Sequence, residues 1–163
     1  MSTPSILFVC LGNICRSPLA EAALRRRAAA ADLIIDADSV GTANYHVGEP
    51  PDPRAISEAK RRGIDISDYC GRQLALDDFA KFDHILVMDE DNLADVRALA
   101  PADSKAKIGL LLDVVPGSRG RSVADPWHGT EADFTATWKE VDAAAEALIA
   151  VLLSERRDQS AKG

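Results

Sequence analysis

Short runs of apolar residues predict the strands of this chain. Ser5–Cys10 and His84–Met88 are rich in aliphatic and β-branched residues, as is typical of strands that are buried on both faces of a sheet. Leu33–Val40 and Ile108–Leu112 are weaker runs of the same kind. The pattern therefore predicts four buried strands.

Segments with helix signals separate these strands. Ser17–Ala31 begins with a residue suited to a helix N-cap, places Pro18 in the first turn and is rich in alanine. Shorter helices are predicted over Pro53–Arg62 and from about Asp91 to Ala100. Residues 116–128, rich in glycine, serine and arginine, are predicted to form a long loop.

The last helix is predicted from about Glu131 to Glu155. It carries apolar residues at helical spacing, which we expect to pack into the core. This apolar stripe consists of Phe134, Trp138, Val141, Ala145, Leu148, Ile149 and Leu152. The chain shows no internal repeat or composition break. We therefore expect residues 1–157 to form a single domain and residues 158–163 to form a frayed polar tail.

The alternation of strands and helices predicts the α/β fold class. Consecutive strands joined by right-handed helical crossovers form a parallel sheet, here of about four strands, with helices on both faces. Ligands of such sheets bind at the carboxyl ends of the strands, where the strand order reverses. The loop after the first strand is therefore the first place to look for a site.

Composition and charge narrow the function. The chain has 163 residues, of which 47% are hydrophobic and 28% are charged, the balance of an ordinary globular protein. Its net charge of -7 argues against a nucleic-acid-binding protein. No apolar run has the length of a membrane span or the features of a signal peptide. We expect a cytoplasmic protein, a location that is still compatible with secretion without a signal peptide. The alanine- and arginine-rich composition is compatible with a bacterial source.

The loop after the first strand has the features of an anion-binding site. It reads Cys10-Leu11-Gly12-Asn13-Ile14-Cys15-Arg16-Ser17. A cysteine with an arginine six positions later is a weak signal by itself. Here, however, the cysteine ends a buried strand, Gly and Asn fill the turn, and a helix begins at the end of the loop. Such a loop directs backbone N–H groups and the helix dipole towards an anion.

This context predicts a reactive cysteine under a bound phosphate. The N–H groups, Arg16 and the Ser17 hydroxyl would stabilise a Cys10 thiolate, and the planar guanidinium of Arg16 could hold two phosphoryl oxygens. The phosphate-binding residues would be Leu11, Gly12, Asn13, Ile14, Cys15, Arg16 and Ser17. The chain has no Gly-Lys-Ser/Thr loop, which argues against a nucleoside triphosphatase.

Cleavage of a phosphate ester also needs a proton for the leaving oxygen. The segment Asp125-Pro126-Trp127-His128 offers a candidate acid in Asp125, with Trp127 as an apolar neighbour. His128 is a competing acid. An isolated Asp-Pro pair is usually only a turn, so the residues alone leave this assignment open.

Several ordered motifs resemble those of the low-molecular-weight protein tyrosine phosphatases. The resemblance extends from about Ile6 to the last helix. Cys10–Pro18 resembles the phosphate-binding loop of the family, and Asp125-Pro126 resembles its general-acid motif. Four further segments also resemble family signatures: Ser39–Thr42, Pro51–Ala55, Arg72–Leu74 and Val87–Glu90.

This resemblance implies a role for each matching residue. The catalytic residues would be Cys10 as nucleophile, Arg16 as phosphate clamp and Asp125 as general acid. Asn13 and Ser39 would hold the strained loop backbone, and Ser17 would stabilise the thiolate. The family also implies a flavodoxin-like fold, a phosphocysteine intermediate, and neither a metal nor an organic cofactor. Cys15 would be the redox partner of Cys10, forming a protective disulfide on oxidation.

The substrates expected from this resemblance are phosphotyrosine proteins and small aryl phosphates, with phosphate and similar oxyanions as inhibitors. The cleft wall is predicted to consist of Leu11, Tyr45, Trp127 and His128. Family members that act on phosphoarginine look different, because they carry threonine where this chain has Ile14, and the bulky Ile14 favours the phosphotyrosine class. We expect no nucleic-acid or membrane partner, and a monomer.

Two other functions compete with this one. An arsenate reductase on the same fold would need a pair of resolving cysteines downstream of the loop. Of the three cysteines, only Cys70 lies downstream of Cys15, and we expect it to be a lone buried thiol. A phosphotyrosine-binding module without activity is the second alternative. It is disfavoured because candidates for nucleophile, clamp and acid are all present.

Overall fold

The computed structural model describes residues 3–162. Its elements in chain order are β1 (Ser5–Cys10), α1 (Arg16–Ala30), β2 (Asp36–Gly41), α2 (Pro53–Arg61), α3 (Asp78–Lys81), β3 (His84–Val87), α4 (Glu90–Leu99), β4 (Lys107–Leu110), a 3₁₀ turn (Leu111–Val114) and α5 (Glu131–Lys162). Across this described part of the chain, none of the helices is both long and apolar enough to cross a membrane.

The four strands form one parallel sheet in the order β2-β1-β3-β4. β1 pairs with β2 from Ser5 to Cys10 and with β3 from Ile6 to Val9. The strand order therefore reverses at β1, and the loop that leaves its carboxyl end lies at the switch point. The predicted α/β class and the parallel four-stranded sheet are confirmed.

Alternate side chains of β1 enter two separate hydrophobic cores. Ile6 and Phe8 are buried on the side covered by α1, α2 and α5. Leu7 and Val9 are buried on the side covered by α3 and α4. Since successive residues of a strand point to opposite faces, a continuous apolar run is what a strand between two helical layers requires. The prediction of helices on both faces is confirmed.

The apolar stripe of α5 is buried along its whole length. Its members are Phe134, Trp138, Val141, Ala145, Leu148, Ile149 and Leu152, and all belong to the core shared with α1. Each large apolar side chain of this kind contributes roughly 1.5 to 3 kcal/mol by leaving water. The stripe therefore anchors the last helix on the sheet, as its spacing predicts.

The second strand begins later than predicted, at Asp36 instead of Leu33. The Leu33 N–H donates to the carbonyl of Ala28 at 2.9 Å and so closes the end of α1. The turn passes through Asp32, which has a φ of 52°. The contacts with the first strand start only where the Asp36 N–H donates to the Pro4 carbonyl at 2.8 Å.

Other element boundaries differ from the prediction for local reasons. The fourth strand ends at Leu110, because Leu111 and Leu112 turn into the 3₁₀ segment and bury their side chains in the core beside α5. The last helix continues to Lys162 instead of ending at Glu155. The short helix α3 lies in a segment for which the sequence pattern predicts no element.

Candidate active site

The loop between β1 and α1 curls around the sulfur of Cys10. Asn13, near its centre, has a φ of 59°, in the left-handed region that asparagine tolerates better than most residues. Its N–H donates to Cys10 Sγ at 3.3 Å. Its side-chain amide donates to Ser17 Oγ at 2.8 Å and to Ser39 Oγ at 3.0 Å, and its Oδ1 accepts from the Arg72 N–H at 3.1 Å. Four contacts therefore tie the strained residue to its surroundings.

Gly41 lets the end of β2 approach this loop closely. A Cβ at this position would lie 2.7 Å from the Leu11 carbonyl oxygen and 3.1 Å from the Gly12 carbonyl carbon. Beyond Gly41, the N–H groups of Thr42 and Ala43 donate to the carbonyls of Cys10 and Leu11 at 2.9 and 3.0 Å. These two bonds hold the loop backbone against the end of β2. The approach requires glycine at position 41, because a side chain there would collide with the loop.

Ser17 does not cap α1, in contrast to the prediction. The helix begins at Arg16, and its N-cap is Cys15, two residues before the predicted one, which makes no side-chain capping bond. Ser17 is instead the second residue of the helix and is buried, with its Oγ 3.0 Å from Cys10 Sγ. The hydroxyl is therefore in position to donate to a Cys10 thiolate.

Arg16 is buried beside the loop, with its guanidinium between three segments. Its Nη1 donates to Asp89 Oδ2 at 2.7 Å and to the Val123 carbonyl at 3.0 Å. Its Nη2 lies 3.6 Å from Asp125 Oδ2. Burial by itself lowers the pKa of Arg16, but Cys10, Asp89 and Asp125 raise it above its usual value. The side chain therefore stays a fixed positive charge.

Asp125 lies in the loop before α5 and faces Arg16. Its Oδ1 accepts from the Trp127 N–H at 3.1 Å in an Asx turn, and Oδ2 is the atom that approaches the guanidinium. The side chain is 45% exposed. The ring of Trp127 lies edge-on to His128 with centroids 4.6 Å apart. The candidate acid is thus open to solvent on one side.

A family model described as "Low molecular weight phosphotyrosine protein phosphatase" matches residues 5–158 of the chain. The chain belongs to this family. The resemblance inferred from its motifs is confirmed, and the arsenate reductase alternative is not favoured.

Individual members of the family are similar over most of the chain. The human low molecular weight phosphotyrosine protein phosphatase is 42% identical over 143 residues, which cover 85% of this chain and 89% of the human protein. A crystal structure of a protein tyrosine phosphatase from Entamoeba histolytica, with Hepes in its active site, has a TM-score of 0.88 and 35% identity, covering 94% of this chain and 99% of that one. A Drosophila arginine phosphatase has a TM-score of 0.85 and 30% identity, covering 90% and 96%.

The four residues predicted to form the cleft wall of this phosphatase are all exposed. They are Leu11, Tyr45, Trp127 and His128. Two of the segments that carry them meet at the loop: Leu11 is part of it, and a Cβ on Gly12 would lie 3.1 Å from His46, next to Tyr45. Their side chains are therefore available to a ligand that approaches from outside.

The cysteines other than Cys10 differ in their surroundings. Cys15 is buried, and burial, followed by the nearby carboxylate of Asp52, raises the pKa of its thiol. Cys70 is exposed, so the prediction that it is a buried thiol is wrong. It lies in an irregular segment, next to Gly71, which packs directly against the His46 carbonyl.

Two supporting carboxylates were not assigned by the sequence pattern. Asp89 lies two residues after the end of β3 and holds Arg16 while also capping α4 through the Asn92 N–H. Glu21, buried in α1, accepts from Ser39 Oγ at 2.9 Å. Asp89 follows the strand next to β1, and this position was the available signal for its role. The role of Glu21 depends on the register between α1 and β2, which the sequence does not show.

Gly41 provides a test of the close packing behind the loop. We expect Gly41→Ala to displace the loop backbone, lowering the free energy of unfolding by about 1 to 3 kcal/mol and weakening the binding of inorganic phosphate. Gly109→Ala in β4 is the matched control, because a Cβ there meets nothing within 4 Å. Denaturant unfolding and phosphate titration measure the two effects. Equal behaviour of the two variants would contradict the role given to Gly41.

Proposed function

We propose that this phosphatase hydrolyses phosphotyrosine with Cys10 as nucleophile, Arg16 as phosphate clamp and Asp125 as general acid. The observation that carries this proposal is the meeting of the three side chains at the carboxyl end of β1. Ser17 Oγ and the Asn13 N–H contact Cys10 Sγ, while Arg16 Nη2 faces Asp125. A nucleophile, an anion clamp and a proton donor are the groups that phosphate-ester cleavage needs.

In the first step the Cys10 thiolate attacks phosphorus, and the bond between phosphorus and the phenolic oxygen breaks. Asp125 gives its proton to that oxygen, so tyrosine leaves as a neutral phenol. The negative charge on the transferring group is stabilised by Arg16 and by the backbone N–H groups of the loop, Leu11 to Ser17. The product on the enzyme is a phosphocysteine.

In the second step water attacks the phosphocysteine, and the sulfur–phosphorus bond breaks. Asp125, now a carboxylate, takes a proton from the attacking water. Cys10 leaves as a thiolate, stabilised by the hydroxyl of Ser17 and the N–H of Asn13. Inorganic phosphate is released, which explains why phosphate and similar oxyanions would inhibit by occupying the same loop.

The substrate class follows from the residues around the loop. Leu11, Tyr45, Trp127 and His128 would wall the cleft, and an aromatic side chain could stack on the phenyl ring of phosphotyrosine. One structural neighbour is an arginine phosphatase, so phosphoarginine is the alternative substrate to consider. The bulky Ile14 in the loop supports phosphotyrosine. The monomeric state, the cytoplasmic location and the bacterial source stay predictions.

Replacing the nucleophile tests the mechanism directly. Cys10→Ser should abolish turnover of a phosphotyrosine peptide, because the serine hydroxyl stays protonated in this loop, and should still bind the peptide. A chelator should leave wild-type activity unchanged. Steady-state kinetics and peptide titration measure these results. Turnover by the serine variant, or loss of wild-type activity with the chelator, would contradict the mechanism.

The role of Asp125 is tested by the leaving group. An aryl phosphate whose phenol is acidic needs little protonation, whereas phenyl phosphate needs much. Asp125→Asn should therefore lower kcat/KM for phenyl phosphate by a factor about 10² larger than the factor for the substrate with the acidic phenol. The same comparison with His128→Asn is the control. An equal loss on both substrates for Asp125→Asn, with a selective loss for His128→Asn, would move the acid role to His128.

Cys15 gives a redox prediction. Burial raises the pKa of Cys15, so Cys10 should be oxidised first, from thiolate to sulfenic acid with peroxide as oxidant. The Cys15 thiol would then attack the sulfenic sulfur of Cys10, forming a disulfide and releasing water. An added thiol reduces this disulfide again. Peroxide-treated wild type should recover its activity with thiol, while Cys15→Ser should recover a much smaller part of its own starting activity. Full recovery by Cys15→Ser would contradict this protection, and Cys70→Ser is the control.

A further inference from the structure

Arg54 joins α2 to the loop that carries the candidate acid. It is the second residue of α2. Its Nη2 donates to the Trp127 carbonyl at 2.9 Å, and its Nη1 donates to the Gly129 carbonyl at 3.1 Å. These two carbonyls stand on either side of His128 and follow Asp125 by two and four residues. One guanidinium therefore contacts both carbonyls near the end of residues 115–130, the connection that we call the acid loop.

Asp52 fixes the orientation of this guanidinium. Arg54 Nε donates to Asp52 Oδ1 at 3.0 Å and Nη2 donates to Oδ2 at 2.9 Å, a two-pronged contact. The Arg54 N–H also donates to Oδ1 at 2.8 Å, which caps α2. On another side the guanidinium lies over the ring of Phe134, 4.6 Å from its centroid. The Asp52 carboxylate and the Phe134 ring therefore set the direction of the guanidinium towards the acid loop.

The same aspartate contacts the phosphate-binding loop. The Asp52 N–H donates to the carbonyl of Ile14 at 2.9 Å. A continuous chain of bonds thus runs from the loop of the nucleophile, through Asp52 and Arg54, to Trp127 and Gly129 in the loop of the acid.

The acid loop has little regular structure of its own to hold Asp125. The residues between the 3₁₀ turn and α5 form a long connection. Two residues before Asp125, the Val123 N–H donates to the Met88 carbonyl at 2.8 Å. Beyond Asp125, the Gly129 N–H bonds within the loop, to the Pro126 carbonyl at 2.8 Å. The contacts of Arg54 are what tie this second half of the loop to α2.

We propose that Arg54 is a positioning residue that aims Asp125 at the leaving oxygen. It contacts neither Cys10 nor the acid itself, and acts by fixing the Trp127 and Gly129 carbonyls, while the Trp127 N–H in turn holds Asp125 Oδ1. A shift of about 1 Å in a proton donor can cost up to roughly 10²-fold in rate. This inference rests on the proposed acid role of Asp125.

The test compares Arg54→Ala with a matched control at the other end of the same helix. Arg62→Ala removes an arginine of equal exposure, 34% against 33%, that is also paired with a carboxylate, Glu58, but does not reach the acid loop. We expect Arg54→Ala to lower kcat/KM for phenyl phosphate by about 10-fold or more and to change kcat/KM for a good leaving group less than 2-fold, because kcat/KM reports only the first step, in which the leaving phenol is protonated. Arg62→Ala should affect both substrates equally.

A double variant separates this inference from the proposed function. In the Asp125→Asn background, Arg54→Ala should cause no further selective loss with phenyl phosphate, because the donor it positions is gone. If Asp125→Asn shows the leaving-group effect and Arg54→Ala does not, the positioning role is wrong and the acid role stands. If Asp125→Asn itself shows no such effect, the proposed acid is wrong.

Arg54→Lys keeps the experiment decisive if the alanine variant does not fold. Lysine retains the positive charge beside Asp52 but has no planar fork to donate to both carbonyls. It should be folded, as judged by thermal unfolding, and should show the same selective loss with phenyl phosphate at a smaller size. A folded Arg54→Lys variant with wild-type dependence on the leaving group would overturn the proposal.

Discussion

The left-handed backbone of Asn13, with a φ of 59°, is the constraint on which the site depends. An L-residue in this region costs of order 1 kcal/mol, and asparagine recovers this through its side chain, which bonds Ser17, Ser39 and the Arg72 N–H. In return its own N–H points at the sulfur of Cys10. Glycine would allow the same φ but would lose the three side-chain bonds, so conformational freedom alone does not build this loop.

The hydrogen bonds that support the loop continue from Asn13 through Ser39 to Glu21 in α1. Ser39 donates to the buried carboxyl of Glu21, and burial raises the pKa of Glu21 even though Arg25 pairs with it. A raised pKa means that this group stabilises the fold most at acidic pH, below its ordinary pKa, and that the contribution is lost as the pH rises through the raised value. The bond from Ser39 by itself favours the ionised carboxylate and lowers this pKa, and burial outweighs it.

The sequence predicted those parts of the molecule that depend on local chemistry. The spacing of apolar residues predicts the Ser5–Cys10 strand and the stripe of α5, and the turn residues predict the position of the phosphate-binding loop. What it did not predict depends on which of two local roles a residue takes and on pairings between distant segments. Ser17 has the chemistry both of a cap and of a thiolate partner, and its hydroxyl lies against the Cys10 sulfur and does not cap the helix. Leu33 has the pattern of a strand, but closes a helix. The contacts of Arg54 join residues 73 and 75 positions apart, which no local pattern shows.

In the proposed mechanism, Arg16 connects phosphate binding to proton transfer. Its Nη1 is already occupied by Asp89 and the Val123 carbonyl, so a phosphate would meet the Nη2 side, where Asp125 lies 3.6 Å away. A phosphate bound there would lie between the guanidinium and the proposed acid, so the side of Arg16 that binds the phosphoryl oxygens would also bring the leaving oxygen towards Asp125. In the proposed mechanism one carboxyl at this place serves both steps, first as the acid that protonates the phenol and then as the base that accepts a proton from water.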